Sequence, residues 1–279
     1  MKQEPAGDGT MSDFLQLQDK TILLMGVANR RSVAWAIARV LAEAGARIIY
    51  VFKNKELMDK NRSLVGADAP ALVCDVEKEE DIAALRERVA SFTDHLDGLV
   101  HSIAFANFSD GLKPFHETSK ADFLQAMDIS CFSLVQVCRE LQSLFSDRAS
   151  IVTMSISCTR MASENYGYMG PIKAALDSSV AFLAKSLSQS VSPRIRVNAV
   201  GASLLKTSAS AGIPGYIDAY LYAERLMPRR EALQTEEPAN VVAFLLSERS
   251  SGINAQTVVV DGGMSINYFD RDIIQKATH

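Results

Sequence analysis

The chain has 279 residues, 48% hydrophobic and 22% charged, with a formal net charge of −4. That composition is ordinary for a globular protein, and its mildly acidic balance gives no footing for a polyanion, so no nucleic-acid partner is expected. No apolar run reaches the roughly 18 residues needed to cross a bilayer, so no membrane association is expected either.

The first ten residues are polar and lack the apolar stretch of a secretory signal. Residues 1–16 are expected to form a flexible tail, and 17–279 a single domain. Short apolar runs follow at 21–27, 47–52, 71–76, 98–106, 150–156, 195–202 and 257–261. They are rich in Val and Ile and apolar on both sides, as strands buried on both faces of a parallel sheet are. Between them, amphipathic stretches predict helices. These cover 32–44, closed by Gly45; 77–91, with Ile82, Leu85 and Val89 on one side; 118–145 and 170–190, both longer and more apolar; and 236–246. Strands and helices alternating at this rhythm imply right-handed crossovers. The fold class is therefore α/β: a single Rossmann-type, doubly wound parallel sheet of about seven strands with helices on both faces. Cys74, Cys131, Cys138 and Cys158 form no CxxC pair and are expected to be reduced thiols of a cytoplasmic protein. The four histidines show no metal-ligand spacing, so no metal is expected.

The first strand runs into Gly26-Val27-Ala28-Asn29-Arg30-Arg31-Ser32-Val33. This is not GxGxxG. Even so, a strand, a tight turn at Gly26 and a helix opening near Ser32 aim backbone N–H groups at a pyrophosphate. The small Ala34 and Ala38 let that helix approach closely. A site preferring NAD usually carries an acidic residue at the end of the second strand, to accept from the ribose 2′-hydroxyl. Here Lys53 and Lys55 stand instead, suited to a 2′-phosphate. NADPH is therefore the expected cofactor, with NADH as the alternative; the competing reading is two solvated lysines opening a helix. Asp75, followed by Val76, ends the third strand, where a carboxylate can meet an adenine amino group.

The run 165–173 reads Asn-Tyr-Gly-Tyr-Met-Gly-Pro-Ile-Lys. Tyr166 and Lys173 are seven apart, a spacing that returns both to one face of a helix, about 10 Å apart along the axis. A phenol able to donate a proton and an ammonium able to hold a ribose would then share one cleft. Tyr168, offset by about 200° from Tyr166 on such a helix, is expected to pack.

These segments, with His-Ser-Ile-Ala-Phe-Ala-Asn at 101–107, Asp-Ile-Ser at 128–130 and Val-Asp-Gly-Gly at 260–263, occur in one order. Together they resemble the NAD(P)H-dependent enoyl-acyl-carrier-protein reductases of bacterial fatty-acid synthesis, a divergent branch of the short-chain dehydrogenase/reductases. The likeness covers roughly residues 17–268. Ordinary members of the superfamily carry Tyr-x3-Lys, which would need Tyr at Met169; Tyr-x6-Lys marks the enoyl-reductase branch.

The resemblance implies reduction of the 2,3 double bond of an enoyl thioester on acyl carrier protein, in a homotetramer. It implies Tyr166 and Lys173 as catalytic residues. For the cofactor it implies Gly26, Ala28, Ser32, Val33, Asp75, Val76, Ser102, Ile103, Ala104, Lys173 and Thr207, to which the reading above adds Lys53 and Lys55. The acyl substrate is expected to meet Ala106, Ile156, Tyr166, Met169, Ala209 and Tyr216, under a loop and helix spanning about 203–225. Met154 and Met161 are further candidates for an acyl pocket, and Asp128 for holding a water near Lys173.

The chain departs from the family at the catalytic end. A second tyrosine often stands ten positions before the first; here that residue is Ile156, which donates no hydrogen bond. Ser155 and Ser157 flank it, and strand alternation sends both away from the side on which residue 156 points. Gly-Pro after the sixth strand is replaced by Ser203-Leu204. Pro171 fits only if its helix starts near Met169. Two other functions are therefore weighed beside enoyl reduction: reduction of another enone or carbonyl, and cofactor binding without turnover.

Overall fold

Ile22 and Leu24 of the first strand pack on one side of the sheet, and Leu23 and Met25 on the other, because successive side chains on a strand point to opposite faces. The computed structural model of the chain describes residues 13–278, the side chains of Asn165 and Ala277 excepted. Most of the expected N-terminal tail, residues 1–12, lies outside the described residues. The elements follow as β1 (Thr21–Met25), α1 (Val33–Glu43), β2 (Arg47–Phe52), α2 (Lys55–Val65), β3 (Ala71–Val73), α3 (Glu79–Ala83), α4 (Leu85–Ala90) and β4 (Leu96–His101). Then come α5 (Lys120–Met127), α6 (Ser133–Leu141), β5 (Phe145–Ile156), α7 (Met169–Ser190), β6 (Arg196–Ala202), α8 (Tyr216–Leu226), α9 (Glu236–Leu246), β7 (Thr257–Val260) and α10 (Arg271–Thr278).

The strands pair in parallel in the order β3-β2-β1-β4-β5-β6-β7. The chain order reverses between β1 and β4, which opens a crevice at their C-terminal ends, where doubly wound sheets bind ligands. One face of the sheet is covered by α1 and α9 through Ala34, Ile37, Leu41, Val242 and Leu246. The other is covered by α4, α6 and α7 through Val89, Leu134, Leu176 and Val180. A small third core of Ala202, Leu205, Ala223, Met227 and Leu233 seats α8 beyond the end of β6. Among the described residues, no helix is long and apolar enough to cross a membrane.

Several boundaries differ from the sequence reading. The strand expected over 98–106 ends at His101, because Ser130 takes both backbone groups of Phe105 away from the sheet. Its hydroxyl accepts from Phe105 N at 2.9 Å and donates to Phe105 O at 3.1 Å. The helix expected over 118–145 is two α-helices joined by a π-helical turn, Asp128–Phe132, with β5 already under way at Phe145. The widened turn lets Ser130 reach Phe105 while Ser133 reaches His101, a local use of π geometry that α-helical spacing would not allow. The helix expected over 77–91 starts at Glu79 and is interrupted at Ala84, and the Arg88–Asp81 ion pair at 3.1 Å spans the break. After β2 the chain forms α2, capped by Asn54, whose side chain accepts from Leu57 N at 2.9 Å. Residues 13–16 are held to the domain. Asp13 accepts from Leu17 N and Gln18 N, and Arg249 donates to Phe14 O at 2.8 Å while lying 4.9 Å over the Phe14 ring.

Candidate active site

At the C-terminal ends of β1 to β5 lies a cavity of about 330 Å³. Gly26, Ala28, Ser32, Val33, Lys53, Asp75, Val76, Ser102, Ile103, Ala104, Lys173, Thr207 and Ala209 all line it. The expected dinucleotide contacts thus come together from five connections and the helix α7, with Lys55 as the exception. Lys55 lies in the first turn of α2, largely exposed, and pairs with Asp59 at 3.2 Å along that helix. The i, i+4 spacing turns it outward.

Two features of the chain fit a dinucleotide. Gly26 has φ +107°, and a Cβ on it would sit 2.0 Å from Ser102 O, so only glycine lets β1 and the β4 connection come together beneath a ligand. The α1 N-terminus receives no side-chain cap, since Ser32 donates its hydroxyl to Asn29 O at 2.7 Å instead. Its leading N–H groups, which have no partner within the helix, remain for an anion.

Lys173 projects from the second turn of α7 and is 3% exposed. Its Nζ donates to Met154 O at 2.7 Å, leaving two N–H groups for a ligand. Burial pulls its pKa down to about 8 against the opposing pull of Asp177 and Cys131. Near enough to feel the Lys173 charge, His101 is fully buried. Its Nε2 lies 2.8 Å from Ser133 Oγ and its Nδ1 3.2 Å from Thr153 Oγ1. Ser133 already donates to Ile129 O at 2.6 Å and Thr153 to His101 O at 3.1 Å, so each hydroxyl is left to accept from whichever ring nitrogen carries the proton. Burial, reinforced by the Lys173 charge, lowers the His101 pKa to about 3 and keeps the ring neutral.

Tyr166 does not share a helix with Lys173. It ends a short 3-10 turn, Glu164–Tyr166, and Gly167 with φ +53° separates it from α7, which opens at Met169. The helical-face argument therefore fails for this pair; the left-handed glycine redirects the chain before the helix begins. Tyr166 is half-buried against the α7-side core and, unlike Lys173, does not line the cavity. Burial raises its pKa, and Tyr216 adds to the shift. Pro171 falls within the first turn of α7, where its missing N–H costs nothing.

Of the remaining substrate candidates, Met169 is 3% exposed in the core and does not line the cavity. Ala106 is also outside the cavity, packed against the same core. Ile156 ends β5 opposite Ala202. Beside it, Ser155 is buried with its hydroxyl unpartnered, on the sheet face shared with Thr153. Met154 lines the cavity, whereas Met161 is exposed. Asp128 is raised by burial and by the nearby Glu77 and Glu79 charges. Ser203 turns its hydroxyl to Met264 Sδ at 3.2 Å and lies outside the cavity.

The loops over the site are closed by hydroxyls that sequence reasoning passed over. Tyr168 accepts from Asn107 N at 2.8 Å and donates to Asn107 O at 3.0 Å. Tyr216 does the same for Leu205, at 2.9 Å in each direction. Ser210 accepts from Thr207 N at 2.9 Å and donates to Leu205 O at 3.0 Å. The Tyr168 pairing joins segments 61 residues apart, whereas the Ser210 bonds are local, three and five residues back; of such contacts, only the Asp-Ile-Ser run, through Ser130, hinted at one. Among the described residues, no group of three or more His, Cys, Asp or Glu side chains is placed to hold a metal ion.

Known proteins resemble this chain over nearly its whole length. The family model described as enoyl-(acyl carrier protein) reductase matches residues 26–265. A Nostoc protein named enoyl-[acyl-carrier-protein] reductase [NADH] is 38% identical over 91% of this chain and 99% of its own length. A Staphylococcus aureus relative whose name specifies NADPH is 35% identical over 90% of this chain and 98% of its own. Among solved structures, the Bacillus cereus enoyl-acyl carrier protein reductase with NADP+ and indole naphthyridinone superposes with a TM-score of 0.84. It is 35% identical, covering 90% of this chain and 98% of that one.

Proposed function

Because the chain belongs to the enoyl-[acyl-carrier-protein] reductase family, we propose that its cavity holds a nicotinamide dinucleotide and that Tyr166 and Lys173 serve the reaction. The protein is an oxidoreductase of fatty-acid synthesis that reduces the double bond of an enoyl thioester on acyl carrier protein. The reduced cofactor, when bound, supplies the hydride accepted by the β-carbon.

The protein's own groups handle the charge that follows. Negative charge gathers on the thioester oxygen, and the Tyr166 hydroxyl is the donor for it. A donor that strengthens as charge develops favours the transition state over the bound substrate. Burial holds the Tyr166 pKa high, so the phenol stays protonated across the neutral range. Lys173, cationic below about pH 8, orients a ribose through its two free N–H groups and adds a positive field. The observation that carries this reading is Lys173 itself: a lysine buried within a cavity that the Gly26 turn, the α1 N-terminus and Asp75 also line.

NADPH is the preferred cofactor in this reading, because Lys53 takes the place of an acidic residue at the end of β2. A homotetramer is proposed as well, supported by exposed apolar side chains on α5 (Leu124), α7 (Phe182) and edge strand β7 (Val259); light scattering in solution measures it.

The test of function is oxidation of NADPH, with NADH in parallel, by a crotonyl thioester and by a small enone lacking the thioester. Turnover of the thioester with NADPH favoured is the expected result. Turnover of the enone alone would move the activity to another carbonyl class, and tight cofactor binding without oxidation by either would reject catalysis.

A further inference from the structure

Lys53 is not free at the mouth of the cavity. Its Nζ lies 2.5 Å from Glu77 Oε2 and 3.9 Å from Asp75 Oδ1. Glu77 follows β3, lines the same cavity as Lys53, and is held from its other oxygen by Gln125 Nε2 of α5 at 2.9 Å. Its pKa is lowered, with the Lys53 hydrogen bond as the largest cause, so Glu77 is an anion at neutral pH. Asp128 stands close enough for Glu77 to raise its pKa. Lys55, the other lysine read from the sequence as a phosphate partner, is turned away onto Asp59, and Lys78 beside Glu77 reaches it through its charge. One ammonium thus faces two carboxylates at the place where a 2′-phosphate would dock.

We propose that Glu77 is a specificity-determining residue: it competes with the cofactor 2′-phosphate for Lys53 and so moderates the preference for NADPH over NADH. With NADH bound, Lys53 stays on Glu77 and the pair is undisturbed. With NADPH bound, Lys53 turns to the phosphate, while Gln125 keeps the Glu77 carboxylate at the mouth. The phosphate then gains one cation and meets one fixed anion. The gain from Lys53 is offset in part, and discrimination is smaller than a basic residue at this position would give alone.

This inference rests on the reading of the cavity as a dinucleotide site, and its test reads binding rather than turnover. Dissociation constants of NADPH, NADH, 2′,5′-ADP and 5′-AMP are measured by calorimetry for the wild type, Glu77→Gln, Lys53→Met and the double variant. Circular dichroism checks that each is folded. Glu77→Gln is expected to tighten NADPH and 2′,5′-ADP about fivefold, which is ~1 kcal/mol at tenfold per 1.4 kcal/mol and is the upper range for an exposed ion pair. NADH and 5′-AMP should stay within about twofold. In the Lys53→Met background the same change should have less than half that effect. Equal tightening of both dinucleotides, no tightening of either, or a full effect without Lys53 would overturn the proposal. A wild type that binds none of the four ligands would overturn the dinucleotide reading and this inference with it. Cofactor binding in the expected pattern without enoyl turnover would reject only the catalytic reading.

Discussion

At the dinucleotide end of the cavity, Gly26, Asp75, Ser102 and Ile103 stand within two residues of the ends of β1, β3 and β4. At the end assigned to substrate, Ala209 lies on a connection and lines the cavity, whereas Tyr166, also on a connection, and Tyr216, which opens α8, stand outside its lining. Strand ends are placed by the ladder hydrogen bonds and by two buried cores, so a residue there has little freedom. Connections are placed by whatever side chains clamp them, here Tyr168 on Asn107, Tyr216 on Leu205 and Ser210 on Thr207. The first end is rigid because the whole sheet would have to move to change it. The second is adjustable, because its residues on connections move with the clamps that hold them.

If the two ends divide the work this way, a change confined to the substrate end should alter rate and leave cofactor affinity intact. Tyr166→Phe is the sharpest case. Loss of one hydrogen-bond donor to a developing oxyanion costs about 10²–10³ in kcat. NADPH affinity, read by titration, should stay within about twofold of the wild type. A parallel loss of cofactor binding would show that Tyr166 braces the dinucleotide end instead.

Gly26→Ala is the complementary change. At φ +107° any side chain is strained, and this one meets Ser102 O at 2.0 Å, so β1 and the connection after β4 must separate. Strain of this kind costs of order 1–3 kcal/mol, and dinucleotide affinity should fall about tenfold to a hundredfold. Thermal melting with and without NADPH measures both, and an unshifted pair of melts would break the picture of a rigid end.

Lys173→Met separates stability from function. A lysine whose folded pKa is about 8, against 10.5 unperturbed, is a burden on the fold while it is charged. Between those values the unfolded chain binds more protons than the folded one, so stability rises as pH climbs from about 8 to 10.5. The methionine variant should melt higher than the wild type at pH 7, lose that rise at alkaline pH, and bind NADPH about tenfold more weakly. A lower melting temperature at pH 7 would mean that Lys173 serves the fold.

Much of the rigid end was legible in the sequence for a physical reason. Strands buried on both faces must be apolar throughout, and a turn that crowds backbone against backbone must use glycine, so both leave a mark in composition. The clamps leave none. Ser130 and Ser133 take up their roles only through the π turn at Asp128–Phe132, and His101 reads as one more residue of an apolar strand. The helical-face argument for pairing Tyr166 with Lys173 fails, since the helix assumed to carry both begins after Gly167. Lys53 and Lys55 read alike in sequence. The i, i+4 carboxylate of Asp59 sends one outward, and the carboxylates of Asp75 and Glu77 engage the other.

The smallest expected effect sharpens the comparison at Ile156, the residue that ends β5 opposite Ala202. A phenol introduced by Ile156→Tyr would supply the second donor that the family resemblance leads one to expect at this position. The strand end was not shaped around a phenol, however, and a donor misplaced by an ångström recovers only a fraction of an aligned one. Turnover of a crotonyl thioester should therefore rise by less than about tenfold, with NADPH affinity unchanged. A rise of about a hundredfold or more would show that the adjustable end has lost a working donor, and that its present substrate differs in the position of its oxygen. No rise at all would leave Tyr166 as the sole donor, with Ile156 contributing shape to the acyl pocket.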